Sequence, residues 1–172
     1  MRLIHRSLWR LRIVKIAILL MILYAGMSYF LASSVANADR TTPGSTPEQY
    51  DLPYTNVEFP TRGSAISLSG WHIHGSNSAP TIIFVHGFES NRAGSEAVAL
   101  AADLRETGFN SLLFDLRGHG TSGNGQVSGG YFERYDLLGA YDYLVEQGIA
   151  PETIGVIGFS MGAAISALAV SD

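Results

Sequence analysis

The longest uninterrupted apolar stretch in the chain runs from Ile16 to Ala32, IAILLMILYAGMSYFLA, and carries no charged residue. A helix of that length comes close to spanning a hydrocarbon core, so residues 16–35 are predicted to form a transmembrane helix or a signal segment. The core helix of a soluble domain would instead keep one polar face. From Asp39 to about Pro53 no period is sustained and Pro, Thr, Ser and Gly dominate, which predicts a linker over residues 36–53. Beyond it, Asn56 to Pro60 and Ala65 to His74 interleave polar and apolar positions as two short strands, spaced for an antiparallel pair. Thr81 to His86, TIIFVH, is a compact β-branched and aromatic run between Pro80 and Gly87, the pattern of a strand buried on both faces. Ser111 to Asp115 and Thr153 to Phe159 repeat that pattern. Helical spacing fills the intervals: Glu96 to Thr107 closed by Gly108, Tyr131 to Gln147 closed by Gly148, and Met161 to Val170. Strand and helix alternating in this way predict an α/β domain over residues 54–172, with a mainly parallel sheet and helices on both faces.

Charge changes the reading of the N-terminus. Arg2, Arg6, Arg10, Arg12 and Lys15 precede the apolar run, and no acidic residue occurs before Asp39. The positive-inside tendency then keeps residues 1–15 cytoplasmic and sends the rest of the chain across the membrane. Ala36-Asn37-Ala38 has the small-x-small form of a signal-peptidase site, so secretion after cleavage near Ala38 is the alternative. No lysine follows Lys15 and the later arginines are scattered, which excludes a basic stripe for nucleic acid. The absence of cysteine removes disulfides, thiolate nucleophiles and cysteine metal sites together. At 172 residues, 47% of them apolar, the chain is long enough for one sizeable core.

The segment that carries chemistry is Gly158-Phe159-Ser160-Met161-Gly162, a G-x-S-x-G where strand gives way directly to helix. A serine at such a turn sits on strained backbone, and glycines two positions away on each side let the neighbouring chain pass. Ser160 is therefore the expected nucleophile. The backbone N–H of Met161, at the start of the following helix, is one expected oxyanion donor. The loop after TIIFVH should supply the second, from the N–H of Phe88. His86 ends that strand in the wrong element for a catalytic base and is read as structural. Asp115 and His119 are read as shaping the loop LRGHGTSGNG by side-chain hydrogen bonds. His72 and His74 share one strand face, but no third ligand accompanies them, so no metal is expected. A dinucleotide fingerprint is rejected because Ser160 fills the position that its second glycine requires.

Taken together, the His86-Gly87-Phe88 turn followed by Glu89-Ser90-Asn91-Arg92, the FDLRGHGTSG stretch at 114–123, Glu133 with Asp136, and GFSMG at 158–162 resemble the α/β-hydrolase superfamily. The resemblance is to its serine aminopeptidase-like and monoacylglycerol-lipase-like branch, and it covers about Val57 to the end. It implies an eight-stranded sheet, Ser160 as nucleophile, Phe88 and Met161 as oxyanion donors, and hydrolysis of a small ester, lipid or peptide substrate without a cofactor. In that superfamily the triad acid and histidine follow the nucleophile in chain order. Twelve residues follow Ser160 here, with Asp172 and no histidine among them. The expectation is an incomplete hydrolase domain, truncated after the nucleophile elbow, whose acid and base lie beyond this chain and which has little activity alone. The alternative is a catalytically inactive, membrane-tethered remnant that acts in binding.

Overall fold

A computed structural model describes residues 2–36, 39–76 and 79–171. It divides the chain into two compact units, residues 1–36 and 37–172.

The first unit is one helix, α1 (Arg2–Ala36). Within it Leu11–Ser34 has a mean hydropathy of 2.0 and is long and apolar enough to cross a membrane, a test of length and composition that a signal sequence also passes. From Leu11 to Leu31 its leucine, isoleucine, methionine and tyrosine side chains are exposed all round, as suits an apolar solvent. The helix begins well before the predicted residue 16, because the basic cluster is made of good helix formers. Asn37 and Ala38 of the small-x-small site lie outside the described residues.

The second unit is built on five strands: β1 (Tyr54–Pro60), β2 (Ser67–Ile73), β3 (Thr81–Val85), β4 (Asn110–Phe114) and β5 (Ile154–Gly158), in the order β1-β2-β4-β3-β5. β1 and β2 pair antiparallel with Val57 opposite Gly70, as their alternation predicts. β2 then pairs antiparallel with β4, Trp71 opposite Leu113. β3 runs parallel to β4 and to β5, with Ile83 opposite both Leu112 and Val156. The sheet is therefore mixed, with β2 alone running against the other four strands. Alternation within β2 signals a strand and leaves its second neighbour open, so the β2–β4 pairing was not readable from local pattern.

Helices cover both faces. On one, α2 (Ala97–Glu106) packs Ala97, Val98 and Ala101 against Trp71, Phe84 and Leu113. On the other, α3 (Arg134–Glu146) and α4 (Met161–Ala169) pack Leu137, Leu144 and Ile165 against Leu68, Leu112 and Phe114. α2 and α3 stop where predicted. Gly108 and Gly148 take positive φ (94° and 84°), and the next N–H bonds a carbonyl five residues back, Phe109 to Leu104 at 3.0 Å and Ile149 to Leu144 at 3.1 Å.

Among the described residues β5 pairs with β3 alone, and Val156 is 39% exposed. Its β-branched run matches that of an interior strand. The stretch read as a linker is docked. Pro47–Tyr50 forms a 3-10 turn, Pro47 and Leu52 are buried, and Leu52 joins the Trp71 core. Two apolar anchors and a few non-local hydrogen bonds suffice to hold a segment whose composition is that of a linker.

Candidate active site

β5 ends at Gly158 and α4 starts at Met161, so Phe159 and Ser160 are the whole connection. A turn this short forces Ser160 to φ 51° and ψ −116°, a left-handed conformation that a residue with a Cβ rarely adopts. The turn is held from both sides. The Phe159 N–H donates to the Val85 carbonyl at 2.9 Å, and the N–H groups of Gly162 and Ala163 return to Phe159 and Ser160 at 2.8 and 2.9 Å. A Cβ at Gly158 would overlap the Gly162 carbonyl, and one at Gly162 would overlap the Val85 carbonyl. Both glycines are thus demanded by backbone passing backbone, and the Ser160 side chain is left exposed at the top of the elbow.

The end of β3 is brought to the same place. A Cβ built on Gly87 would lie 3.4 Å from the Cβ of Ser160, so the backbone of the loop that carries Phe88 rests against the serine. Met161 is the first residue of α4, where an N–H has no intrahelical acceptor. Among the described residues neither its N–H nor that of Phe88 has a hydrogen-bond partner.

His86 is buried and uses both ring nitrogens. Nδ1 donates to the Gly87 carbonyl at 2.7 Å and Nε2 accepts the Leu116 N–H at 3.0 Å. Burial is the main cause that holds its pKa down to about 4. It ties β3 to the loop after β4 as a neutral ring. His119, fully buried, donates from Nδ1 to the Arg117 carbonyl at 2.9 Å. Its ring meets His86 edge to face at 5.0 Å between centroids and Phe88 at 6.2 Å.

Asp115 has no exposed surface and its carboxylate is fully engaged. Oδ1 accepts the Arg92 N–H at 2.7 Å, and Oδ2 accepts Arg92 Nη2 at 2.6 Å, Arg92 Nε at 3.1 Å and the Thr121 N–H at 2.9 Å. A second buried fork joins Arg117 to Asp136, Nη2 to Oδ1 at 2.7 Å. Glu133, also fully buried, accepts the Ser128 and Gly130 N–H groups at 2.6 and 2.8 Å and shapes the turn before α3. In the sequence Arg92 and Arg117 stand out only as parts of family-like motifs, and their pairing with Asp115 and Asp136 is not visible there. Nothing local distinguishes Arg92 or Arg117 from a solvated arginine. His72 and His74 lie 4.7 Å apart between ring centroids, and among the described residues no group of three potential metal ligands occurs.

An exposed serine on a strained strand-to-helix turn, facing a loop with an unused backbone donor, can attack a carbonyl and stabilise the resulting oxyanion. Comparisons with known proteins find hydrolase folds. The profile of the alpha/beta hydrolase fold family matches residues 80–172. The Pyrococcus furiosus esterase Pf2001 superposes with a TM-score of 0.71 at 34% identity, over 79% of this chain and 54% of that one. A multifunctional-autoprocessing repeats-in-toxin protein of Vibrio cholerae is 32% identical over 116 residues, 62% of this chain and 2% of the toxin. The lysophosphatidylserine lipase ABHD12 of Danio rerio is 30% identical over 90 residues, 52% of this chain and 23% of the lipase. The chain thus spans about half the length of the solved esterase and a smaller share of these curated relatives.

Proposed function

The chain belongs to the alpha/beta hydrolase fold family, and from that premise we propose that it is a serine hydrolase that cleaves a carboxylic ester or an amide through an acyl-enzyme on Ser160. The observation that carries this reading is Ser160 itself, exposed at φ 51° on the β5–α4 turn with the Gly87 backbone against it. The Ser160 Oγ bonds to the substrate carbonyl carbon and its proton passes to a histidine base. The carbonyl oxygen takes the negative charge and is held by the N–H groups of Phe88 and Met161. Collapse expels the alcohol or amine, which takes that proton, and water then releases the acid by the same route. His86 is unsuited as the base, since both its nitrogens are occupied. Esterase and lipase relatives favour an acyl ester or lipid substrate over a peptide, and no cofactor is required. The basic cluster in the first turns of α1 favours an anchor with the hydrolase unit exocytoplasmic.

The test is hydrolysis of a p-nitrophenyl ester by the protein expressed from its native gene, beside Ser160→Ala and Phe88→Pro. Ser160→Ala should lose at least about three orders of magnitude in kcat. Phe88→Pro, which deletes one donor N–H, should lose about two to three. Equal turnover by Ser160→Ala and the unsubstituted protein would overturn the proposal.

A further inference from the structure

The segment that follows α1 makes more polar contacts with the candidate active site than its composition suggests. Arg40 Nη1 donates to the carbonyls of Gly120 at 2.8 Å, Ser122 at 2.7 Å and His119 at 3.3 Å, while Nη2 reaches Asn124 Oδ1 at 2.7 Å. The next residues hold the other loop. Asn91 Nδ2 donates to Thr41 Oγ1 at 2.9 Å and to the Thr42 carbonyl at 3.2 Å, while its Oδ1 caps the Ala93 N–H at 2.9 Å. Residues 40–42 therefore bond both to the loop after β4 and to the loop after β3 that carries Phe88.

We propose that Arg40 is a positioning residue of the catalytic centre, acting with Thr41 as a strap across the two loops that frame Ser160. The inference rests on the hydrolase reading above. The loop after β4 contains Gly118, Gly120, Gly123 and Gly125, so it has much backbone freedom to lose and needs ties from outside itself. Three of its carbonyls converge on Nη1 of one guanidinium while Nη2 holds Asn124, and converging carbonyl dipoles repel without such a cationic donor. His119 is the connection to the chemistry. Its carbonyl is on Arg40, and its ring packs edge to face on the ring of Phe88, whose N–H is the proposed oxyanion donor. Arg40 itself is exposed, so water can replace it. Its loss should loosen the loops without unfolding the sheet. Arg40 follows the small-x-small site at Ala36-Asn37-Ala38 in sequence, so an anchored form and a form cleaved near Ala38 would both retain the strap.

Amide hydrogen exchange and ester turnover, measured in detergent on the protein expressed from its native gene, unsubstituted and as Arg40→Ala and Arg40→Lys, test this. In Arg40→Ala, exchange in segments 87–92 and 116–124 should accelerate by about tenfold with β3 and β4 unchanged. kcat should fall by about tenfold with KM within about twofold, and Arg40→Lys should recover part of both effects. Unchanged exchange in both loops, an equal acceleration in β3 and β4, or a rise in KM at constant kcat would each overturn the strap. If the unsubstituted protein is no faster than Ser160→Ala, the hydrolase reading fails, and the exchange data still decide whether Arg40 orders the loops.

Discussion

Arg92 and Asp115 form a buried ion pair, Nη2 2.6 Å from Oδ2, with side-chain exposures of 6% and 0%. The Arg92 guanidinium also stacks 4.9 Å from the centre of the Trp71 ring, and Nη2 reaches Thr121 Oγ1 as well. One arginine thus fastens the loop that carries Phe88 to the end of β4 and to Trp71 of β2.

Removing only the arginine should be costly, because it strands a buried carboxylate. Arg92→Ala is expected to destabilise the fold by about 3–5 kcal/mol in urea unfolding, whereas Arg92→Met with Asp115→Leu should recover most of that loss. A loss under about 1 kcal/mol in the single variant would show that water reaches Asp115.

The elbow glycines differ from a glycine that merely follows the chain. Gly162→Ala drives a Cβ into the Val85 carbonyl, and neither backbone can retreat without breaking the β3–β5 pairing. It should cost at least about 3 kcal/mol or prevent folding. Gly44→Ala, with nothing within 4 Å and no left-handed backbone, should be neutral or slightly stabilising. Thermal unfolding of the two variants in parallel checks the contrast.

Acid should weaken the fold through two histidines. Burial holds both His72 and His86 down to about 4, with His74 a lesser cause at His72 and the Gly87 hydrogen bond a partial offset at His86. The unfolded chain, with both near 6.5, binds more protons between these values. Stability is therefore full above about pH 6.5, falls as pH drops towards about 4, and then levels off for these groups. His72→Gln should remove about half of the decline between pH 6.5 and 5 in urea unfolding. An identical slope in the variant would mean that His72 is already protonated in the fold or hydrated.

Local patterning was sufficient for the long apolar helix, for the three interior-type runs of β3, β4 and β5, for the two Gly-terminated helices and for the G-x-S-x-G turn at Ser160. Each of these depends on neighbours in sequence: a period, a terminator, a residue type that suits one backbone conformation. The docked course of residues 39–53, the second antiparallel pairing of β2 and the partners of Asp115, Asp136 and Glu133 depend on which distant residues meet. Arg40 shows the reason. Its acceptors lie 79 to 84 positions away, and an arginine among threonines and prolines reads the same whether it faces water or three converging carbonyls. Hydrogen bonds and ion pairs are specified by geometry, and that geometry exists only after the sheet has brought the ends of β3, β4 and β5 together.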